Sequence, residues 1–149
     1  MSRKEKPTGR EIAEMATKMV REDGKVVQGL AGGKTVRFVG AKLDHLKKEE
    51  DVEAGAVIGV LENEALGDES GLPPGRYNLF AAKVNDKWEV YAESGGEVKG
   101  KAARVTATRH TQEDKAPLKG TFHEKGWCFY ICIIPNPWGG CWFSISHCW

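Results

Sequence analysis

Residues 76–109 read "RYNLFAAKVNDKWEVYAESGGEVKGKAARVTATR", and the fold follows from how this stretch is parsed. Three runs of alternating apolar and polar residues are separated by two-residue turns, Asn85-Asp86 and Gly95-Gly96. That pattern predicts an antiparallel meander. A two-residue loop at Asn85-Asp86 also sets the register of the first hairpin, placing Val84 opposite Lys87 and Ala81 opposite Val90. Side chains alternate along a strand, so Tyr77, Leu79, Ala81, Trp88, Val90 and Ala92 fall on one face. We take that face as the core. Lys87, Glu89 and Glu93 point the other way, toward an expected wet side.

The same period of two continues upstream. "KVVQGLAGGKTVRFVGAKL" at 25–43 predicts two strands about a glycine turn, and "GAVIGVLE" at 55–62 a strand buried on both faces. Between them, "DHLKKEEDVEAG" reads as a charged loop or short helix. "ENEALGDESGLPPG" at 62–75 reads as a long polar loop ended by two prolines and a glycine. Ahead of all this, Thr8 to Glu22 has helical period. Ile12, Met15, Ala16, Met19 and Val20 form an apolar stripe, Thr8 and Glu11 fit a capping box, and Asp23-Gly24 supplies a stop. The stripe predicts a helix packed on the protein's own sheet. The expected fold is mainly β with this one N-terminal amphipathic helix: a small antiparallel β-sandwich or barrel plus a C-terminal cysteine and aromatic hairpin. "GLPPGRYNLF" at 71–80 resembles the proline-glycine entry into a strand of transthyretin-like β-sandwiches, which implies sandwich over barrel.

Charge is distributed unevenly. The chain has 22 basic and 21 acidic residues, a net charge of +1. None of them lies in "GWCFYICIIPNPWGGCWFSISHCW", residues 126–149. All four cysteines and every tryptophan except Trp88 lie inside that tail. Near-neutral charge gives no reason to expect nucleic acid as a partner. The opening "MSRKEKPTGREIAEM" has no apolar run behind its basic residues and is not a secretory signal, so the expected location at synthesis is the cytoplasm. Cysteines so dense suit disulfides, which a reducing cytosol does not maintain.

Proline and glycine interrupt the tail at "PNPWGG", against a spanning helix. Its halves, "WCFYICII" and "CWFSISHCW", read as two strands. With Cys128 opposite Cys148, one face carries Cys128, Tyr130, Cys132 and Ile134 against Cys148, Ser146, Ser144 and Trp142. The other carries Phe129, Ile131 and Ile133 against His147, Ile145 and Phe143. A Cys128–Cys148 bond with Cys132–Cys141 nested inside it fits that register, and the two other pairings stay open. The spacing C-x3-C-x8-C-x6-C does not match paired zinc ligands, so no metal is expected.

The rest of the chain offers little chemistry. "GLAGGK" lacks the spacing of a phosphate loop, the acidic loop lacks that of a calcium site, and His45, His110 and His123 are scattered. No enzymatic activity and no cofactor are expected.

Thr111 to Lys125, "TQEDKAPLKGTFHEK", reads as a linker. The expected organisation is therefore a helix-plus-β domain at 1–110 that folds alone, a linker at 111–126, and a Cys- and Trp-rich segment at 127–149. This layout resembles that of bacterial precursors of ribosomally synthesised peptide natural products and bacteriocins. The resemblance implies a soluble leader read by a processing enzyme or transporter, and an exported antimicrobial or membrane-directed tail. Cleavage would fall near Lys125-Gly126. Cys128, Cys132, Cys141 and Cys148 would be bonded or modified, with Ser144 and Ser146 as further modification sites. Trp127, Phe129, Tyr130, Trp138, Trp142, Phe143 and Trp149 would make the contacts. The alternative is a non-enzymatic binding or self-assembly module using the apolar hairpin, uncut, as its interface.

Overall fold

A computed structural model describes residues 2–19, 22–111 and 117–149. The meander forms as its turns require. β4 (Gly75–Val84) and β5 (Lys87–Ser94) pair with Ala81 opposite Val90 and Val84 opposite Lys87. Asn85 and Asp86 both take positive φ, 50° and 64°, so their turn twists with the strands it joins. β6 (Glu97–Lys101) follows across the Gly95-Gly96 turn. Upstream, β1 (Glu22–Ala31), β2 (Lys34–Ala41) and β3 (Ala56–Asn63) continue the sheet in chain order, giving six antiparallel strands β1-β2-β3-β4-β5-β6. β3 is buried along almost its whole length, as its unbroken apolar run requires.

A second sheet faces the first. It contains β7 (Arg104–Thr111), β8 (Leu118–His123), β9 (Gly126–Pro135) and β10 (Cys141–Cys148), in the order β7-β10-β9-β8. The organisation read from sequence is corrected here. Residues 118–123, expected as linker, are an edge strand, and the tail supplies the two central strands of the sheet. Leu79, Ala81, Val90 and Ala92 of the first sheet share one core with Trp127, Phe129, Ile131 and Ile145 of the second. The Phe38 and Phe129 rings stack across the gap with centroids 4.9 Å apart. The fold is thus an antiparallel two-sheet sandwich, and residues 127–149 line much of its inside.

At one side β1 and β8 come unusually close. A Cβ on Gly120 would lie 2.4 Å from Val27 Cγ1, so only glycine fits there. The side chain of Gly120 is missing because a strand needs its room, not because the segment is a hinge.

The outer face of the first sheet is also covered. α1 (Gly9–Met19) lays Ile12 and Ala16 on Phe80, Ala82, Val84 and Tyr91. Thr8 caps it, its Oγ1 accepting from Glu11 N at 3.0 Å. The reciprocal half of the expected capping box is replaced: the Glu11 carboxylate takes two hydrogen bonds from the Arg3 guanidinium, at 2.6 and 2.7 Å. That pairing holds Glu11 below the usual carboxylate range. The described helix runs to Met19, and Val20 lies outside the described residues. Glu22, expected as the last helical residue, opens β1, with the expected stop Asp23-Gly24 inside that strand. The side of β4 and β5 expected to be wet is therefore largely dry, and Glu93 is buried at 2% exposure. Its carboxyl oxygens accept from Asn78 Nδ2 and Gly96 N, both at 2.8 Å, as a buried polar group requires. The segment before β3, expected as a charged loop or short helix, holds a short helix, α2 (Glu49–Glu53), whose Val52 is fully buried. Arg109 of β7 reaches Glu49 of α2 (2.6 Å), lowering the Glu49 pKa and tying the helix to the second sheet.

Candidate functional site

The β9–β10 hairpin has a locked end and an open end. At the locked end Cys128 and Cys148 stand directly opposite, Cα atoms 4.1 Å apart, and are bonded. The acidic loop before β4 closes over them. Ser70 N and Ser70 Oγ both donate to the Trp149 carbonyl at 3.3 Å, and Asp68 N donates to the Lys125 carbonyl at 3.1 Å. Trp149 N in turn donates to Trp127 O at 2.9 Å. The acidic loop, expected as a polar loop, is a clasp on the end of β10.

The register follows the sequence reading from Cys128–Cys148 to Cys132–Ser144 and then shifts. A bulge sets Ile134 opposite Phe143, in place of the expected Ile134–Trp142 and Ile133–Phe143 pairs, and a second irregularity at Trp142 restores the expected register with Pro135 opposite Cys141. Cys132 and Cys141 are bonded across it, so both nested disulfides form and, among the described residues, no free cysteine remains. Bonded cysteines are the state of an oxidising compartment, which corrects the cytoplasmic expectation for the folded chain. The Cys128–Cys148 bond closes a separation of 20 residues and Cys132–Cys141 one of 9. In the chain-entropy account the longer loop contributes about 3 kcal/mol and the shorter several tenths less. Cys128 and Cys148 are half-buried on the outer face, so alanine adds little packing loss. Urea unfolding of C128A/C148A should show that loss. A loss for C128A/C148A of well under about 1 kcal/mol would contradict the account. C132A/C141A is no fair comparison, because Cys141 is buried at 2% exposure and its truncation adds a packing loss.

The residues proposed to make contacts divide into two groups. Trp127, Phe129, Phe143 and Trp149 are buried at 2% exposure or less and cannot meet a partner from where they lie. Tyr130 is half-buried. Trp138, at 88% exposure, and Trp142, at 41%, stand out at the open end. The tip that presents them is shaped by hydrogen bonds. Trp138 N donates to Asn136 Oδ1 at 2.9 Å and Gly139 N to Asn136 O at 3.1 Å, while Cys132–Cys141 anchors its base. Ser144 is buried, its Oγ 3.5 Å from Thr108 O, and Ser146 is half-buried. Lys125 is exposed, but Gly126 is buried and already paired with His123 in the β8–β9 ladder.

Beside the tip the two sheets part around a cavity of about 470 Å³. Its apolar wall comes from Leu118 of β8, from Ile131, Ile133 and Ile134 of β9, and from Leu43 and Leu46 of the loop after β2. Trp142 stands at its edge. Lys25, Lys42 and Lys47 give it positive charge and Asp44 one negative charge, so the described lining is cationic. Sequence reasoning missed this site. The loop after β2 read only as charged, and nothing in the sequence tells that Leu43 and Leu46 turn inward to meet β9.

These features define a disulfide-bonded two-sheet β protein with one open, aromatic-edged end. No protein-family profile, curated protein or solved structure matches the chain significantly. Among the described residues, no helix is long and apolar enough to cross a membrane.

Proposed function

We propose that the chain is a non-enzymatic binding module of an oxidising compartment, with the tip end of the β9–β10 hairpin as its contact surface. One observation carries the reading: the body of the tail is core, while Trp138 and Trp142 alone of its tryptophans are exposed, on a tip held by a disulfide. Exposed tryptophans on an ordered scaffold offer large contact area with little ordering cost. The cavity beside them is of the size and apolar character of a ligand site. Its charged lining consists of lysines and an aspartate, with no described histidine, serine or free thiol to act as nucleophile or base.

The precursor reading asks residues 127–149 to leave. Their departure would withdraw both central strands and leave β7 and β8, which do not pair with each other, as the remnant of a sheet. The geometry therefore favours a tail that works in place. The intact mass of protein from its native host tests this. The expected value is that of a chain still carrying residues 127–149, lower by two hydrogens for each of the two disulfides. A chain ending before residue 127, or one that has lost water, would restore the precursor reading.

A further inference from the structure

The cavity between the sheets has the two features that select an amphiphile. Its depth is aliphatic: Ile133 is 1% exposed, Ile134 7% and Leu46 6%. Polar charge enters only at the strand ends and in the loop, where Lys42 and Lys47 are exposed beside Asp44. Gly40 follows Val36 and Phe38 on the inner face of β2 and adds no side chain to the cavity it lines. An apolar slot with a cationic rim fits a molecule with a hydrocarbon chain and a negative head.

We propose that this cavity binds a single-chain anionic amphiphile of the fatty-acid class. The chain lies between Leu118 and Leu43, against Ile131 and Ile133 of β9, and the carboxylate faces Lys42 and Lys47. Trp142 at the edge then covers the chain where it enters, a position that suits an amphipathic ring. Burial of the chain supplies the affinity, at about 0.8 kcal/mol for each methylene removed from water. The lysines supply the preference for an anion. This inference rests on the binding-module reading and goes beyond it by naming the ligand.

The test titrates the full-length oxidised protein with lauric acid, dodecanol and dodecyltrimethylammonium, each below its micelle concentration, by calorimetry and tryptophan fluorescence. Lauric acid is expected to bind saturably, one per chain, and to shift the emission of Trp142. Dodecanol should bind more weakly and the cationic amphiphile weakest. Reversing the rim with K42E/K47E should weaken lauric acid by about tenfold, as two exposed charge pairs allow, and leave dodecanol unchanged. L43W, which fills the slot, should abolish both. If L43W does not fold, the rim variant decides alone, since both its positions are exposed.

Absence of saturable binding overturns the proposal, as does equal affinity for all three amphiphiles. So does lauric acid binding that K42E/K47E leaves unchanged. These outcomes concern the ligand only. The module reading stands or falls separately on the intact mass.

Discussion

A chain cut after His110 is expected to lose its cooperative unfolding transition and to bind hydrophobic dyes. The cut removes β8, β9 and β10, leaving β7 without its strand partner, β10. It also strips the inner face of the six-stranded sheet, where Phe38 and Leu79 lie fully buried against the tail. Eight large side chains leave the core with the cut: Trp127, Phe129, Ile131, Ile133, Ile134, Phe143, Ile145 and Trp149. At roughly 1.5–3 kcal/mol each, their burial is as large as, or larger than, the 5–15 kcal/mol by which whole domains are usually stable. Far-ultraviolet circular dichroism during heating, beside dye fluorescence, gives the readout. A sharp melting transition with no dye binding would show that residues 1–110 stand alone, and would return the tail to the role of a carried peptide.

The reason this was not legible lies in how charge is spread over the second sheet. Its edges, β7 and β8, alternate exposed and half-buried residues and carry Arg104, Arg109 and Lys119. Its centre, β9 and β10, has no charge at all. An uncharged stretch next to a charged one resembles a boundary between domains. Here it is the boundary between the middle and the rim of one sheet, and the chain visits the rim at β7, crosses to the rim at β8, and only then fills the centre. Sequence order hides that arrangement because β7 meets β10 across the whole length of the tail. Local rules succeeded where contacts are local. The Asn85-Asp86 turn set the β4–β5 register, and the Cys128–Cys148 alignment set most of β9–β10, until the bulge near Ile133 changed the facing residues. The α1 stripe was read correctly, but a sheet face expected to meet water meets that helix instead. The cavity was invisible for a related reason: its two walls come from the loop after β2 and from β9, far apart in the chain.

Stability is expected to fall steadily as pH is lowered from about 6.5 to about 4.5, with His147 as the cause. His147 is fully buried, ringed by Phe38, Phe129 and Trp149 with centroids 5.6 to 6.0 Å away. Its Nδ1 accepts a hydrogen bond from Trp149 Nε1 at 2.8 Å, which leaves the proton of the neutral ring on Nε2. A second proton would have to go on Nδ1, where the Trp149 N–H already points, and among the described residues Nε2 has no hydrogen-bond partner, so nothing compensates the added charge. Burial alone pushes the imidazole pKa from 6.5 down to about 3. The folded ring thus stays neutral through a range in which the unfolded ring becomes charged. The unfolded state binds the extra proton, so stability present above pH 6.5 is lost as pH falls toward 3. The slope is about 1.4 kcal/mol per pH unit once the unfolded ring is mostly protonated. The carboxylates act later. Glu11 and Glu49, held low by Arg3 and Arg109, contribute stability that is complete above 4.5 and lost only below it. The interval from 6.5 to 4.5 therefore isolates the histidine. Urea unfolding across that interval should lose roughly 2–3 kcal/mol in the native protein. H147F, whatever its own stability at neutral pH, should give a nearly flat profile there. An equal slope in H147F would place the acid sensitivity elsewhere and show that the ring takes up its proton as readily in the folded state as in the unfolded one.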